Sequence, residues 1–221
     1  MTKPALPRLA YDPGMFNVKT LREAQQVIMT PQGGASSAQR WAKETPYEAQ
    51  RASELLGLGT ADLVLDHGCG VGRIAREIIL RTGCTVIGAD ISPSMRQLAV
   101  GYVGSSRFSA VSLDVLRELV TRGLRFDAIL SIWVLLHLPR PAEEITLFHQ
   151  ALRPGGQLFT VSAVRERALP TTRGYVTVND GIDVPQLLRD TFEELHYGPP
   201  SEEIMPAKLS KLFFIGLYRR N

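Results

Sequence analysis

Three glycines alternate at Gly68, Gly70 and Gly72, inside the stretch VLDHGCGVGRIA over residues 64–75. Glycine has no Cβ and tolerates positive φ, so such a backbone admits a very close neighbour. The apolar run before the turn reads as a strand. The stripe after it has helical spacing, and a helix starting there aims its first N–H groups back at the turn. That arrangement suits a nucleotide-like ligand, and the spacing narrows the choice. A dinucleotide fingerprint needs G-x-G-x-x-G, but Arg73 stands where its third glycine belongs. Asp66 precedes the turn, which makes the pattern D-x-G-x-G-x-G. Asp90 closes a second apolar run, and Asp114 follows a third. An ionised Asp offers two acceptor oxygens, enough for both hydroxyls of a ribose. Asp114 is placed to accept from the exocyclic amine of a purine. A pyrophosphate would be repelled by Asp66, whereas a cation with an amino-acid end would be attracted. The set points to a sulfonium nucleoside rather than to NAD.

These residues need a scaffold that brings strand ends together. LVLDH (63–67), TVIGAD (85–90), RFSAVSL (107–113), FDAILSIW (126–133) and QLFTVSAV (157–164) read as strands. Helical stripes lie between them, including one over Pro141 to Leu152 that RPGG stops. Alternating βα units imply a parallel sheet with helices on both faces, and ligands of such sheets sit beyond the carboxyl ends of the strands. Asp66, Asp90, Asp114 and Ser131 all fall at those ends. A helix over 184–195 and a last strand, KLFFIGLYRR (211–220), complete the pattern. Before residue 59, the first 14 residues read as an irregular arm and 16–29 as a helix. Residues 31–39 read as a loop, and TPYE (45–48) as a capping box opening a helix to about Gly57.

VLDHGCGVGRIA, VIGADISPSM, the SLD at 112–114, FDAILSIWVLLHLPRP and LRPGGQLFTVS together resemble the class I methyltransferases that use S-adenosylmethionine. The resemblance covers about residues 62 to 165. It implies a Rossmann-like, doubly wound α/β fold. The sheet has seven strands and is mostly parallel, with the last strand antiparallel, and an N-terminal helical lid covers it. Residues 1–58 would form the arm and lid, and 59–221 one compact methyltransferase domain. By the same resemblance Asp66, Gly68 and Gly70 line the methionine part of the cofactor. Asp90 holds the ribose hydroxyls and Ile91 lies against the adenine. Asp114 and the backbone of Val115 meet the adenine edge, and Ser131 helps at the methionine end. His67 departs from the apolar residue usual there, and its side chain should alternate away from the cofactor.

The reaction implied is in-line displacement of a methyl group onto a small-molecule acceptor, in which positioning supplies much of the catalysis. His137, in the loop after the fourth strand, is the best candidate for a general base; the bland alternative is a packing residue. In the lid, Arg40 is placed to meet the cofactor carboxylate beside Trp41 and Tyr47. The plainer expectation for the two aromatics is packing of their helix on the sheet. Trp133 and Tyr175 are further pocket candidates, and 165–181 reads as a substrate loop.

Composition bounds the partners. The 221 residues carry 25 Lys and Arg against 22 Asp and Glu, with no basic run, so nucleic acid is not expected as a partner. The two cysteines, Cys69 and Cys84, suit a reducing, cytoplasmic setting and no metal site. The first ten residues lack an apolar signal core, and no stretch reaches a membrane span. Two other readings compete: an NAD(P)-dependent oxidoreductase, and a catalytically silent cofactor-binding or partner subunit.

Overall fold

The computed structural model describes residues 11–221. A 3-10 turn (Pro13–Phe16) precedes the helices α1 (Leu21–Ile28) and α2 (Ser37–Leu56). The chain then alternates: β1 (Leu63–His67), α3 (Arg73–Thr82), β2 (Thr85–Ala89), α4 (Pro93–Val103), β3 (Phe108–Val111), α5 (Leu113–Thr121) and β4 (Phe126–Ile132). A second 3-10 turn (Leu135–His137) leads to α6 (Pro141–Ala151) and β5 (Leu152–Ala163). The remainder is β6 (Arg167–Thr171), β7 (Gly174–Val178), α7 (Val184–Thr191), β8 (Glu193–Gly198), α8 (Ala207–Ser210) and β9 (Phe213–Arg219).

Seven strands form one sheet in the order β3-β2-β1-β4-β5-β9-β8. β1 to β5 pair in parallel, and β9 runs antiparallel to both β5 and β8. The expected mostly parallel, seven-stranded sheet with an antiparallel last strand is therefore present. The central strands β1, β4 and β5 are buried on both faces by apolar side chains from flanking helices. On one face Val64 and Val86 meet Ala49 and Ala52 of α2 and Ile74 and Ile78 of α3. On the other, Leu65 and Ile129 meet Leu116 of α5, Phe148 of α6 and Leu188 of α7. Burying each of the large apolar side chains is worth about 1.5–3 kcal/mol. The winding reverses between β1 and β4, so a crevice must open beyond their carboxyl ends. No helix among the described residues is long and apolar enough to cross a membrane.

Several sequence expectations change here. The long N-terminal helix begins at Ser37, not near Thr45. Ser36 caps it, and Gln39 closes the capping box. Thr45 and Glu48 are mid-helix and buried, and Pro46 sits inside the same helix. α5 had no counterpart in the sequence reading, because nine residues give only the two-point stripe of Leu116 and Val120. The expected loop over 165–181 is largely the β6–β7 hairpin, a two-stranded sheet of its own. The expected helix over 184–195 stops at Thr191, and Glu193–Gly198 pair with β9. Of the expected N-terminal arm, residues 1–10 lie outside the described residues.

Candidate functional site

The glycine turn is pinned to the end of the neighbouring strand. The N–H groups of Gly68 and Cys69 both donate to the Ala89 carbonyl, at 2.7 and 3.1 Å. Gly68, Gly70 and Gly72 all have positive φ (72°, 54° and 76°), which other residues adopt only with strain. A Cβ added at Gly68 would lie 2.3 Å from Val134 Cγ2, and one at Gly70 would lie 2.9 Å from Ile28 Cδ1. The close neighbours of this bare backbone therefore include side chains of the protein itself.

Asp90 ties the turn to the second strand end. Its Oδ2 accepts from the Gly70 N–H at 2.9 Å and its Oδ1 from the Ser92 N–H at 2.8 Å. Each oxygen keeps a second lone pair, so the carboxylate can still accept two hydroxyls. Burial raises the Asp90 pKa, and the two backbone donors oppose that rise. Asp66 is more exposed to this conflict. Its Oδ2 is buried without any hydrogen-bond partner. Burial pushes its pKa up to about 7, against the pull of Arg73 and the Ala75 N–H. A buried polar atom left unpaired is costly, and a donor arriving in the crevice would relieve it.

The crevice has about 1000 Å³ of empty space, measured to its open mouth. Asp66, Gly68, Gly70, Asp90 and Ile91 line it from the strand tips, with Met95 and Leu113 beside them. Trp133, Val134 and His137 form the wall after β4. Tyr11, Phe16 and Ile28 close over it from the N-terminal segment, and Tyr175 from the hairpin. The closure is latched. Ser92 Oγ donates to the Phe16 carbonyl at 2.8 Å, and the Val18 N–H donates to Ser94 Oγ at 3.0 Å. The Asp12 N–H donates to the Pro170 carbonyl of β6 at 3.0 Å.

Other predicted residues stand elsewhere. The Asp114 side chain is 97% exposed and 3.7 Å from Arg117. α5 begins one residue earlier, capped by Ser112, so Leu113 rather than Asp114 faces the crevice. Val115 points to solvent on the same helix. Ser131 is buried in β4 with an unpartnered hydroxyl, and its carbonyl accepts from Thr160 Oγ1 at 2.7 Å. Arg40 is engaged within the N-terminal segment, donating to both oxygens of Glu44 and to the Thr30 carbonyl. Trp41 packs against the small cluster of Val18, Ala24, Val71 and Met95, edge-on to Tyr102. Tyr47 packs on the sheet core. His67 lines the crevice too, while its Nε2 lies 3.2 Å from Glu144 Oε2 and its ring meets Phe148 edge to face.

His137 does reach the crevice. Its Nδ1 lies 2.5 Å from the Ala168 carbonyl and its ring stacks on Tyr175. A carbonyl only accepts, so Nδ1 carries the proton and Nε2 keeps its lone pair. Burial lowers the His137 pKa to about 4, although the Ala168 carbonyl favours the charged form.

One network escapes any local reading of the sequence. Glu48, buried in α2, accepts from Trp133 Nε1 and pairs with Arg73 at 2.7 Å. Arg73 Nη1 also donates to Thr45 Oγ1 at 3.2 Å. Trp133 is the only non-glycine among the described residues with positive φ, at 61°. The TPYE that reads as a cap is instead a buried clamp on Arg73 and Trp133. The only sequence signal for it was a charged residue on an apolar helix face.

A family model described as a methyltransferase domain matches residues 37–201. The sterol 24-C-methyltransferase of Saccharomyces cerevisiae is 33% identical over 127 residues, 56% of this chain and 32% of that protein. A ubiquinone biosynthesis O-methyltransferase of Agrobacterium fabrum is 35% identical over 106 residues, 46% of this chain and 41% of that protein. The matched part thus spans less than half of either relative. The N-methyltransferase NodS of Bradyrhizobium japonicum, solved with S-adenosyl-L-homocysteine, superposes with a TM-score of 0.59 at 19% identity, covering 81% of this chain and 87% of that one.

Proposed function

This chain belongs to the methyltransferase-domain family, and from that premise we propose that it transfers a methyl group from S-adenosylmethionine to a small-molecule acceptor. The observation that carries the reading is the Asp90 carboxylate. It is buried at the strand tips, holds Gly70, and has two lone pairs left over. Asp66 adds a buried oxygen with no partner, suited to an ammonium or sulfonium group. Together they fit a nucleoside carrying a cationic amino-acid end. Asp90 would hold the ribose and Ile91 the adenine face, with Asp66 and the Gly68–Gly70 backbone at the amino-acid end. Leu113, which lines the crevice, would lie beside the base, with Asp114 next to it at the start of α5. The neighbouring identities of the relatives, O- and C-methyltransferases among them, support methyl transfer without choosing the atom that receives it.

The bound cofactor supplies an activated methyl group on a sulfonium centre. The protein's part is to hold the acceptor, exclude water and align the two partners, an effect worth up to about 7–11 kcal/mol in favourable cases. Phe16, Ile28 and Tyr175 close the crevice with apolar surface. Trp133 and His137 face it from the far wall. With Nδ1 committed to Ala168, His137 offers Nε2 as a neutral acceptor, which orients an acceptor hydroxyl or amine.

Calorimetry with S-adenosylhomocysteine tests the reading. The wild type should bind. Asp90→Ala should weaken binding about a hundredfold or more, since two hydrogen bonds to a charged group are lost at about 1.5–3 kcal/mol each. A folded wild type that gives no heat would overturn it.

A further inference from the structure

A second and larger cavity, of about 1770 Å³ measured to its open mouth, lies on the other side of the Trp133 wall. It shares Ile28, Trp133, His137 and Tyr175 with the first crevice, so these four side chains form a partition lining both spaces. Its inner surface is largely apolar, from Val27, Leu136, Ala163 and Phe213. Four cationic side chains line it against one carboxylate, Glu166. Two of the four are already matched. Arg40 is held by Glu44, and Arg167 by Asp180 and the Leu138 carbonyl.

The other two are Arg165 and Lys211, which flank the end of the β5–β9 pairing. β5 and β9 pair antiparallel up to Ala163 opposite Phe213, and the Val164 N–H then donates to the Leu212 carbonyl at 2.9 Å. The next residues on the two chains are Arg165 and Lys211, both exposed at the mouth of the cavity. Two like charges at the mouth of one cavity repel each other. Among the described residues neither takes part in an ion pair. An anion lodged between them would relieve that repulsion through charge-assisted hydrogen bonds.

We propose that this cavity is the acceptor chamber, and that it takes an amphiphilic acceptor whose apolar body lies along the inner wall and whose single anionic group sits between Arg165 and Lys211. The nucleophilic end then reaches past Trp133 and His137, which border both spaces, into the cofactor crevice, where it can lie in line with the methyl group. This inference rests on the methyltransferase reading above, because only that reading makes the partition the place where two partners meet.

The test uses three ten-carbon probes that differ in the head group: decanoate, decyl phosphate and 1-decanol. Each is titrated by calorimetry into the full chain, with and without saturating S-adenosylhomocysteine. Both anions should bind at least about tenfold more tightly than the alcohol, and added salt should weaken that preference. The two anions separate a carboxylate from a phosphate as the natural head group. The exposed double variant Arg165→Ala/Lys211→Ala should abolish the preference and leave S-adenosylhomocysteine binding unchanged. Equal binding of all three probes, or an anion preference untouched in the double variant, overturns the proposal. If S-adenosylhomocysteine alone fails to bind, the methyltransferase reading falls, while the probe titrations without it still decide whether the anion site exists.

Discussion

The two walls of the crevice are held in different ways. On the strand-tip side, Gly68, Gly70, Asp90 and Ser92 are joined by backbone N–H donors between adjacent parallel strands. On the partition side, Trp133 is held by Glu48, 85 residues away in sequence, and Glu48 by Arg73. The tip side is fixed by secondary structure that the sheet would form in any case. The partition depends on buried charged side chains from separate helices. The tip side is therefore suited to one invariant ligand part, and the partition is where a fold of this kind can be altered for a particular acceptor.

The largest expected effect lies in the partition. Removing one member of a buried ion pair leaves the other charge uncompensated, at about 3–5 kcal/mol. Glu48→Ala strands Arg73 and frees the Trp133 indole, so denaturant unfolding should show a loss of that size. Burial raises the Glu48 pKa, with Arg73 opposing. Glu48→Gln can still accept from Trp133 and should lose less than the alanine variant. If both variants unfold like wild type, the partition is not held by this clamp and the contrast between the walls disappears.

A smaller effect lies on the tip side, in the Asp66 carboxyl. Its folded pKa is raised to about 7, chiefly by burial. A raised acid stabilises the ligand-free fold below its unfolded pKa, near 3.9. That contribution is lost as pH climbs through about 7. Binding a cationic amino-acid end has the opposite slope, because the ionised carboxylate is the partner it needs. S-adenosylhomocysteine affinity should rise about tenfold from pH 6 to pH 8 as the ionised fraction of Asp66 grows. Asp66→Asn should flatten that rise and also remove the pH-dependent loss of ligand-free stability. A slope that survives in Asp66→Asn would assign it to another group and sever Asp66 from the ligand.

The same contrast explains what the sequence disclosed. Asp66, the alternating glycines and Asp90 follow strands whose apolar runs are plain to read, so their place at the sheet edge was legible. The parallel sheet followed from the same runs, whereas its antiparallel last strand came only from the resemblance to the methyltransferases. Asp114 does not line the crevice itself, because Ser112 starts α5 one residue before it and Leu113 faces the crevice. Thr45 and Glu48 mimic a helix cap so well that their buried partners, Arg73 and Trp133, have no trace in local spacing. The first half of β8, residues 193–195, was absorbed into a predicted helix because its side chains are all exposed and carry no apolar alternation. Phe16 and Ile28 were missed for a related reason. They act through tertiary closure, with the Phe16 carbonyl latched to Ser92 and Ile28 seated over Gly70.

His137 gives the finest test, because it stands at the join between the two walls. A general base works best with a pKa near the operating pH, and its removal typically costs about 10²–10⁴-fold. Burial has moved His137 to about 4, where it accepts a proton only weakly. Its Nδ1 is occupied by Ala168 and its ring lies on Tyr175. Both features favour orientation over proton transfer. Once a screen with labelled cofactor has supplied an acceptor, His137→Ala should lower turnover by less than about tenfold, with most of the change in acceptor KM. His137→Asn keeps a donor for the Ala168 carbonyl and should recover part of that loss. The wild-type rate should show no step near pH 6.5 that the asparagine variant removes, because the imidazole is already neutral well below that pH. A loss of a thousandfold in kcat, with a pH step that disappears in both variants, would make His137 the base and shift the chemistry from the shape of the partition to a single side chain on it.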